Sequence, residues 1–182
     1  MKDQNINTAA LIPLLLHSEE PSKEIVLKRN EILRSGKVID TNIYFVADGS
    51  LRIFIEDGDA EQNIRFGYKN NLVVYMDAFL SGSPSSYHIQ ALKKTTLKII
   101  PKETLNRFIA QHPDQLKVWL ALLEELVLQL LEREKDILTT SPVQRYQRLL
   151  RRSPRLFQEI SNRHIANYLR MSPETLSRLK KH

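Results

Sequence analysis

The sequence contains no cysteine. This absence excludes disulfides, thiolate metal ligands, cysteine-ligated iron–sulfur clusters and a thiol nucleophile. The chain also has no apolar run long enough to cross a bilayer. Its start, MKDQNINTAALIPLLLHSEE, carries one Lys ahead of an apolar patch that Pro13 interrupts, and no small-residue cleavage site follows. We therefore expect a cytoplasmic protein with no membrane partner.

Common catalytic motifs are also missing. The sequence has no Gly-rich phosphate loop, no G-x-S-x-G elbow and no H-E-x-x-H pair. A cupin-like metal site would need about three ligands that converge from neighbouring strands. The five histidines are scattered, and only His88 falls in the strand-rich part of the chain. We predict that the protein is not an enzyme, has no metal site and needs no cofactor.

Acidic residues are scarce near the C-terminus. The formal net charge of the 182-residue chain is +6, and between Arg145 and His182 ten Lys and Arg stand against two Glu. An excess of positive charge in one region favours nucleic acid or another anionic surface as a partner. The length permits one ordinary core or two small ones, so a sensor and a second small domain can share the chain.

Period-two alternation dominates residues 25–100, after a short amphipathic helix predicted for residues 1 to about 20. Turn residues separate the alternating stretches, which is typical of a sandwich or barrel. The apolar positions are Ile25, Leu27, Val38, Tyr44, Val46, Leu51, Ile53, Ile55, Ile64, Phe66, Tyr68, Leu97 and Ile99, and the turns are Ser35-Gly36, Asp48-Gly49, Asp57-Gly58-Asp59, Asn70-Asn71 and Ser81-Gly82-Ser83-Pro84.

Helical patterns replace the alternation after Pro101. Lys102 to Ala110 predicts a short helix, and Pro113 is expected to open a long one that Ser141-Pro142 ends. A seven-residue spacing predicts a dimer seam at Leu116, Leu123, Leu130 and Ile137, with Leu120 and Val127 between them. Because Trp119, Leu126 and Leu131 widen the apolar face, the alternative is a helix that lies on the barrel, and a dimer helix that also touches the barrel explains both features.

The stretch SNRHIANYLRMSPETLSRLKK predicts two helices that cross steeply. Ala166 supplies a small residue at the crossing, and Ser172, Pro173 and Glu174 give an N-cap, a favoured first position and an acid near the positive helix end. The inward set is Ile165, Leu169, Met171, Leu176 and Leu179. The turn of such motifs usually holds a left-handed Gly, but Arg170 stands there, so an altered turn is expected.

The outward face of the second helix suits a DNA major groove. It carries Pro173, Glu174, Ser177, Arg178 and Lys181. An Arg can bind guanine with two hydrogen bonds and a Glu can accept one from cytosine, while Ser172, Thr175 and Lys180 can reach phosphates. Arg163, on the first helix, completes the predicted DNA-binding set. A small helical cap with solvated basic residues is the alternative.

In this order, a strand-rich domain, a long helix and a helix-turn-helix resemble the Crp/Fnr superfamily of bacterial transcription regulators. The segments that carry the resemblance are YFVADGSLRIFIEDGDAEQNIRFGY, IPKETLNRFIAQHPDQL, Arg145 and SNRHIANYLRMSPETLSRLKK. It implies an α+β fold: a jelly-roll-like β-roll over residues 1–112, a dimerisation helix over 113–140 and a helix-turn-helix domain over 141–182. The stretch between Arg152 and Ser161 is too short for the β-hairpin wing of many members, so we expect the wing to be reduced or missing.

The resemblance also implies partners and site residues. A homodimer would bind a pseudo-palindromic site on double-stranded DNA, and RNA polymerase is a candidate partner. Glu174 and Arg178 match the base-contacting positions of the family, and Pro173 stands where nucleotide-responsive members often have Arg. A sensor or scaffold that acts through protein partners is the alternative function.

Nucleotide-binding members hold the ribose with a Glu in a G-E-L turn and the cyclic phosphate with an Arg before Ser or Thr. An ungapped match of YMDAFLSGSPSSYHIQAL puts Tyr75 at the Glu position and Ser85 at the Arg position, with Ser86 as the one matching polar group. Leu126, Leu130 and Leu131 align with the helix positions that reach the nucleotide. We expect a degenerate pocket that does not respond to cyclic AMP. Either an unknown, more apolar effector binds there or, as we prefer, the protein's own side chains fill the region.

Overall fold

The computed structural model describes residues 23–34 and 39–181. The predicted N-terminal helix, Val38 and the Ser35-Gly36 turn lie outside the described residues. Seven strands occupy the first part of the chain: β1 (Glu24–Leu27), β2 (Ile43–Asp48), β3 (Ser50–Asp57), β4 (Ala60–Tyr68), β5 (Leu72–Val74), β6 (His88–Ala91) and β7 (Thr95–Ile100). They form antiparallel sheets in the order β1-β7-β2-β5 and β4-β3-β6.

A core cluster draws on both sheets. Leu27, Val46, Val73 and Leu97 contribute from the four-stranded sheet, and Leu51, Ile53, Ile89 and Ala91 contribute from the three-stranded sheet. These side chains alternate along their strands because successive residues point to opposite faces of a sheet. The predicted jelly-roll-like architecture within an α+β fold is therefore confirmed.

The alternation predicted for β4 is wrong at Ile64. The β3–β4 register shifts after Ile53, which pairs with Arg65, so that Phe54 pairs with Asn63 and Ile64 is the extra residue. A bulge of this kind changes which side chains point inward. Asn63 is consequently buried at 2% exposure, whereas Ile64 is half-buried.

The alternation did not predict β5, β6 or the helix α1 (Met76–Ser81). Each is only a few residues long, which is too short for a hydrophobic period to be recognised. Helix α2 (Lys102–Gln111) was predicted. A second core cluster contains Ile43, Phe79, Ile100, Leu105, Phe108 and Leu122, with Val118 and Trp119 packed against it.

The long helix α3 (Gln115–Leu138) begins two residues after Pro113. Pro113 and Asp114 form a turn instead, in which their carbonyls accept the N–H groups of Leu116 and Lys117. The boundary between two compact units lies within this helix. The first, which we term the roll unit, reaches Leu122, and the second, the C-terminal unit, begins at Leu123. The predicted division at residues 112 and 140 stays a prediction.

The C-terminal unit continues with four shorter helices, α4 (Pro142–Arg152), α5 (Leu156–Glu159), α6 (Asn162–Tyr168) and α7 (Pro173–Leu179). Ser141 caps α4, since its side chain accepts the N–H of Gln144. No strand lies among residues 113–181, all of which the structure describes. A short helix, α5, lies between α4 and α6.

Candidate functional site

A tight turn joins α6 and α7. The Met171 N–H donates to the Ala166 carbonyl, and the Arg170 N–H donates to the Asn167 carbonyl, each at 3.0 Å. This pair of bonds is the Schellman arrangement, which needs a left-handed residue directly after the helix C-cap. Arg170 is that residue, with φ 55°. The expectation of an altered turn is therefore wrong: the usual turn forms, and Arg carries its steric cost.

The two helices share a buried contact. Ile165, Ala166, Leu169 and Leu176 are all at 0% exposure. Met171 and Leu179, which complete the predicted inward set, are half-buried. The Ser172 hydroxyl accepts the Thr175 N–H at 3.2 Å, so the predicted N-cap of α7 is present. The packing and the cap fix which side of α7 faces outward.

The exposed side of α7 carries Pro173, Glu174, Ser177 and Arg178, and the exposed Lys181 lies in the turn that follows the helix. Ser172 and Lys180 are exposed beside them, Thr175 is half-buried, and Arg163 is exposed on α6. The Lys180 ammonium donates to the Asn162 side chain at 2.9 Å. It can therefore hold the start of α6 as well as reach a phosphate. The structure brings the predicted DNA-binding residues onto one helix pair, and their role stays a prediction.

Glu174 lies at the positive end of α7. Its own backbone N–H and the Ser172 hydroxyl lower the pKa of its carboxyl, with a further contribution from Arg178. The carboxylate is thus held in its charged form, which accepts hydrogen bonds and cannot donate them. Such a group can accept from the amino group of cytosine.

Paired charges join α3 to α4. Asp136, at the C-terminal end of α3, is at 0% exposure. One of its oxygens accepts from Arg148 Nε at 2.8 Å, and the other accepts from Arg152. Glu132, one turn earlier, accepts from Arg148 at 2.8 Å. Two acids on α3 thus hold two arginines on α4, with the buried charges paired as burial requires.

Two further arginines tie α3 to the motif. The Arg145 guanidinium donates to the carbonyls of Thr139 and Arg170, at 2.9 and 3.2 Å. It therefore joins the end of α3 to the turn before α7. The buried Arg133 lies over the Tyr168 ring, 3.8 Å from its centroid. Burial, the largest influence, and the nearby Arg170 lower the pKa of Arg133.

These contacts sort the ten basic residues of this region. Arg145, Arg148, Arg152, Arg155 and Lys180 have partners within the unit, whereas Arg151, Arg163, Arg170, Arg178 and Lys181 are exposed. This division between paired and exposed basic residues was not predicted from the sequence. Complementary spacing was the available signal, since Glu132 and Asp136 lie four residues apart, as do Arg148 and Arg152.

In the roll unit, residues 75–87 form what we term the cassette segment. It contains α1 and the turn that leads to β6. The Asp77 carboxylate accepts the Ser85 hydroxyl at 2.7 Å, the Ser86 N–H at 2.9 Å and the Ala78 N–H at 2.9 Å. Burial alone would raise the pKa of Asp77, but these donors lower it below its ordinary value. Ser85 and Ser86, predicted at the effector position, are thus bound by a carboxylate that the sequence analysis missed.

Tyr75 is buried in the roll core at 3% exposure. Burial, with nearby Asp40 and Tyr44, raises the pKa of its phenol. Asp40 is itself buried and accepts from Tyr44 and Arg34, at 2.6 and 2.8 Å. Tyr75 is therefore a core side chain in this structure. The other predicted pocket residues lie in the C-terminal unit, where Leu126 is half-buried and Leu130 and Leu131 are exposed.

An apolar stripe runs along α3. Leu116 and Leu120 are exposed in the roll unit, and Val127, Leu130 and Ile137 are exposed in the C-terminal unit. Leu123, also on the predicted seam, is half-buried. Trp119, which widens the face, packs on Phe79 with ring centroids 5.9 Å apart.

Within the described residues, no group of three or more His, Asp and Glu could hold a metal ion. The same part of the chain contains no helix with the length and apolar character needed to span a membrane.

Comparison with known proteins gives a family match and a shared fold. Residues 24–112 match the model of the cyclic nucleotide-binding domain. No curated protein matches the sequence. FixK2 from Bradyrhizobium japonicum is similar in structure, with a TM-score of 0.73 at 19% identity over 89% of this chain and 84% of that one.

Two further structures show the same likeness. A CooA variant from Carboxydothermus hydrogenoformans has a TM-score of 0.72 at 17% identity, over 92% of this chain and 81% of its own. CLP from Xanthomonas campestris, described as a c-di-GMP-responsive global regulator, has a TM-score of 0.67 at 17% identity, over 96% of this chain and 90% of its own. Residues 24–112 therefore resemble a cyclic nucleotide-binding domain, and the chain shares its fold with these three solved structures.

Proposed function

We propose that this protein is a homodimeric, sequence-specific DNA-binding transcription regulator that does not respond to cyclic AMP. The exposed face of α7 is the observation that carries the proposal. It presents Glu174 and Arg178 on a helix whose start is capped and whose opposite side is buried, and Lys181 is exposed in the turn after it. A helix with this arrangement fits the major groove, where base edges can be distinguished.

Arg178 and Glu174 supply the proposed base contacts. They lie one turn apart on the exposed side of α7, and the charge of Arg178 contributes to the lowered pKa of Glu174. Arg can donate two hydrogen bonds to guanine, and Glu can accept one from cytosine. The neighbouring Ser172, Lys180 and Lys181 would contact phosphates, which set the orientation but carry no sequence information.

The apolar stripe of α3 supports a homodimer. A row of exposed Leu, Val and Ile at seven-residue spacing is stabilised when a second helix covers it. A two-fold dimer would place its two α7 helices in half-sites about one helical turn apart, ~34 Å. This geometry predicts a pseudo-palindromic site.

A charged residue placed in the apolar stripe of α3 tests whether this stripe forms a dimer interface. We expect Leu123→Glu to give monomers in analytical ultracentrifugation, because two carboxylates would be forced into an apolar contact. Leu128 is a matched control: it is 58% exposed but lies on another side of α3, so Leu128→Glu should leave the dimer intact. A wild-type protein that sediments as a monomer at micromolar concentration contradicts the proposal.

Three features of the roll unit support independence from cyclic AMP. The cassette segment contains no Lys or Arg, and its Ser85 and Ser86 bind Asp77. Tyr75, at the position of the ribose-binding Glu, is buried in the core. A buried phosphate without a cation would lose its hydration uncompensated. Calorimetric titration with cyclic AMP and cyclic GMP tests this part, and saturable binding at micromolar concentration contradicts it.

Selection of genomic DNA fragments by the purified protein tests the function as a whole. We expect enrichment of a shared pseudo-palindrome, and retention on DNA that falls with salt. A variant that ends before α6 should retain no specific fragment. If the full chain enriches no sequence and its retention does not depend on the C-terminal helices, the protein does not act through DNA.

A further inference from the structure

The cassette segment is folded around its own carboxylate. Three groups surround Asp77 within hydrogen-bonding distance: the Ser85 hydroxyl and the N–H groups of Ser86 and Ala78. The Ser86 hydroxyl lies 3.5 Å from the same carboxylate. Hydroxyls and backbone N–H groups that converge on one point are the donors with which proteins bind phosphate.

The Ser85 hydroxyl has no capacity left to donate. It donates its proton to Asp77 and accepts the Tyr87 N–H at 3.0 Å. The Ser86 N–H, which has a single proton to donate, is also used by Asp77. An external anion would therefore have to displace the carboxylate before it could use either group.

The charge of the cassette segment disfavours a bound phosphate, as does the occupation of its donors by Asp77. The cassette segment has one acid and no base. Lys102 packs on the Phe79 ring and donates to the Phe79 carbonyl, and so is directed to α1 rather than to the serines. The donors lower the pKa of Asp77, which keeps it ionised at neutral pH. A phosphate that approached this turn would meet a like charge without a cation to offset it.

We propose that Asp77 is the resident anion of the cassette segment: its carboxylate takes the place that the phosphate of an effector would occupy and closes the turn to phosphate ligands. The proposal rests on the proposed function in one respect, namely that the chain does not respond to cyclic nucleotides. It adds the reason and identifies the residue to change. The absence of a cation alone would leave neutral donors available, whereas an internal carboxylate occupies them.

Four proteins test the proposal: the wild type, Asp77→Ala, Ser85→Arg and the double variant with both changes. The probe is inorganic phosphate, and the measurement is the backbone amide chemical shift of Ser86 and Ala78 during the titration. In the wild type these shifts should not saturate. In Ser85→Arg they should also stay constant, because the new guanidinium would pair with Asp77.

The double variant should bind phosphate with a saturable shift, at least about tenfold more tightly than Ser85→Arg alone, because it has a cation and free donors and lacks the like charge. Asp77→Ala alone should bind more weakly than the double variant but more tightly than the wild type. Asp59→Ala, in the exposed β3–β4 turn, is the matched control for loss of an acid and should gain no binding.

Equal phosphate affinity in Ser85→Arg and the double variant would overturn the proposal, because Asp77 would then not compete for the site. Saturation in the wild type, or a double variant with no gain, would overturn it too. If removal of Asp77 prevents folding, Asp77→Asn with Ser85→Arg replaces the double variant, since the amide keeps an acceptor oxygen and loses only the charge. None of these measurements involves DNA, so their failure is distinguishable from failure of the proposed regulator function.

Discussion

The cassette segment and the α6–α7 helix pair both contain a short helix next to a turn, but their charged residues are arranged in opposite ways. Residues 75–87 contain one acid and no Lys or Arg, and the acid takes the local donors. Residues 162–181 contain one acid and five Lys or Arg, and all five basic residues are exposed. The donors of the cassette segment are bound within the chain, whereas the basic side chains of residues 162–181 are exposed.

The difference between these two segments indicates which of them is suited to bind a polyanion. Donors that are already paired contribute little to a ligand, because their hydrogen bonds must first be broken. Exposed cations instead gain free energy when they replace the counterions of DNA. The arginines of α4 that pair with Glu132 and Asp136 are not available in this way, whereas the basic side chains of residues 162–181 are exposed.

The largest expected effect comes from replacing Asp136, the buried acid that binds two arginines of α4. Asp136→Asn leaves Arg148 and Arg152 without their buried partner, at an expected cost of about 3 kcal/mol, the lower end of the range for a broken buried pair because Glu132 still lies beside both. Native-state hydrogen exchange of the α4 amides measures the loss.

Glu132→Gln is the control for this change. The Glu132 side chain is 37% exposed, so its pairs are screened and the expected loss is under about 1 kcal/mol. Equal losses for the two variants would show that burial of Asp136 does not determine the stability of these paired charges.

Two substitutions, one on α7 and one in the turn after it, test the difference between base and phosphate contacts. Arg178→Ala should cost about 1–3 kcal/mol at the preferred site and relax the choice of base there. Lys181→Ala should weaken all sequences alike and lower the slope of log K against log salt by about 1. Fluorescence anisotropy with specific and random DNA at several salt concentrations measures both. Equal losses on the two DNAs for Arg178→Ala would contradict its role.

The smallest expected effects concern the backbone of the two turns. Gly82 ends α1 with φ 68°, and Arg170 ends α6 with φ 55°. We expect Arg170→Gly to stabilise the C-terminal unit by about 0.5–1 kcal/mol, because Gly avoids the left-handed cost that Arg bears. Gly82→Ala should destabilise the roll unit by a similar amount, ~0.5–1 kcal/mol.

Thermal unfolding of the single variants measures these two effects. Nothing lies within 4 Å of a Cβ added at Gly82, so Gly82→Ala tests conformation and not crowding. A loss of stability in Arg170→Gly would mean that the Arg170 side chain contributes more than its backbone costs.

Much of the architecture could be predicted from the sequence. Alternating apolar residues indicated β2, β3 and β7, and the cap and apolar positions of the final stretch indicated α6 and α7. These signals are local, because hydrophobic period and capping depend on residues a few positions apart. The short elements β5, β6 and α1 were not predictable in this way.

The candidate sites differ in the same way: one could be predicted from local sequence, and the other depends on residues that are distant in the chain. The exposed residues of α7 followed from helical spacing, since one face was apolar and had to be buried. The partners of Asp77 lie eight and nine residues away along the chain, and those of Asp136 lie twelve and sixteen away. Nothing in a local pattern specifies which donors reach a given carboxylate.

Local sequence accounts for the strand-rich domain, the apolar stripe of the long helix, the capped final helix and the basic charge beside it, because each depends on neighbours in the chain. Only the tertiary structure decided that Asp77 occupies the donors of the cassette segment, that Asp136 pairs two arginines, and that Arg170 adopts the left-handed turn. Those outcomes depend on packing, which brings distant groups together and makes an unpaired buried charge, or an unformed turn, more costly than the strain that it replaces.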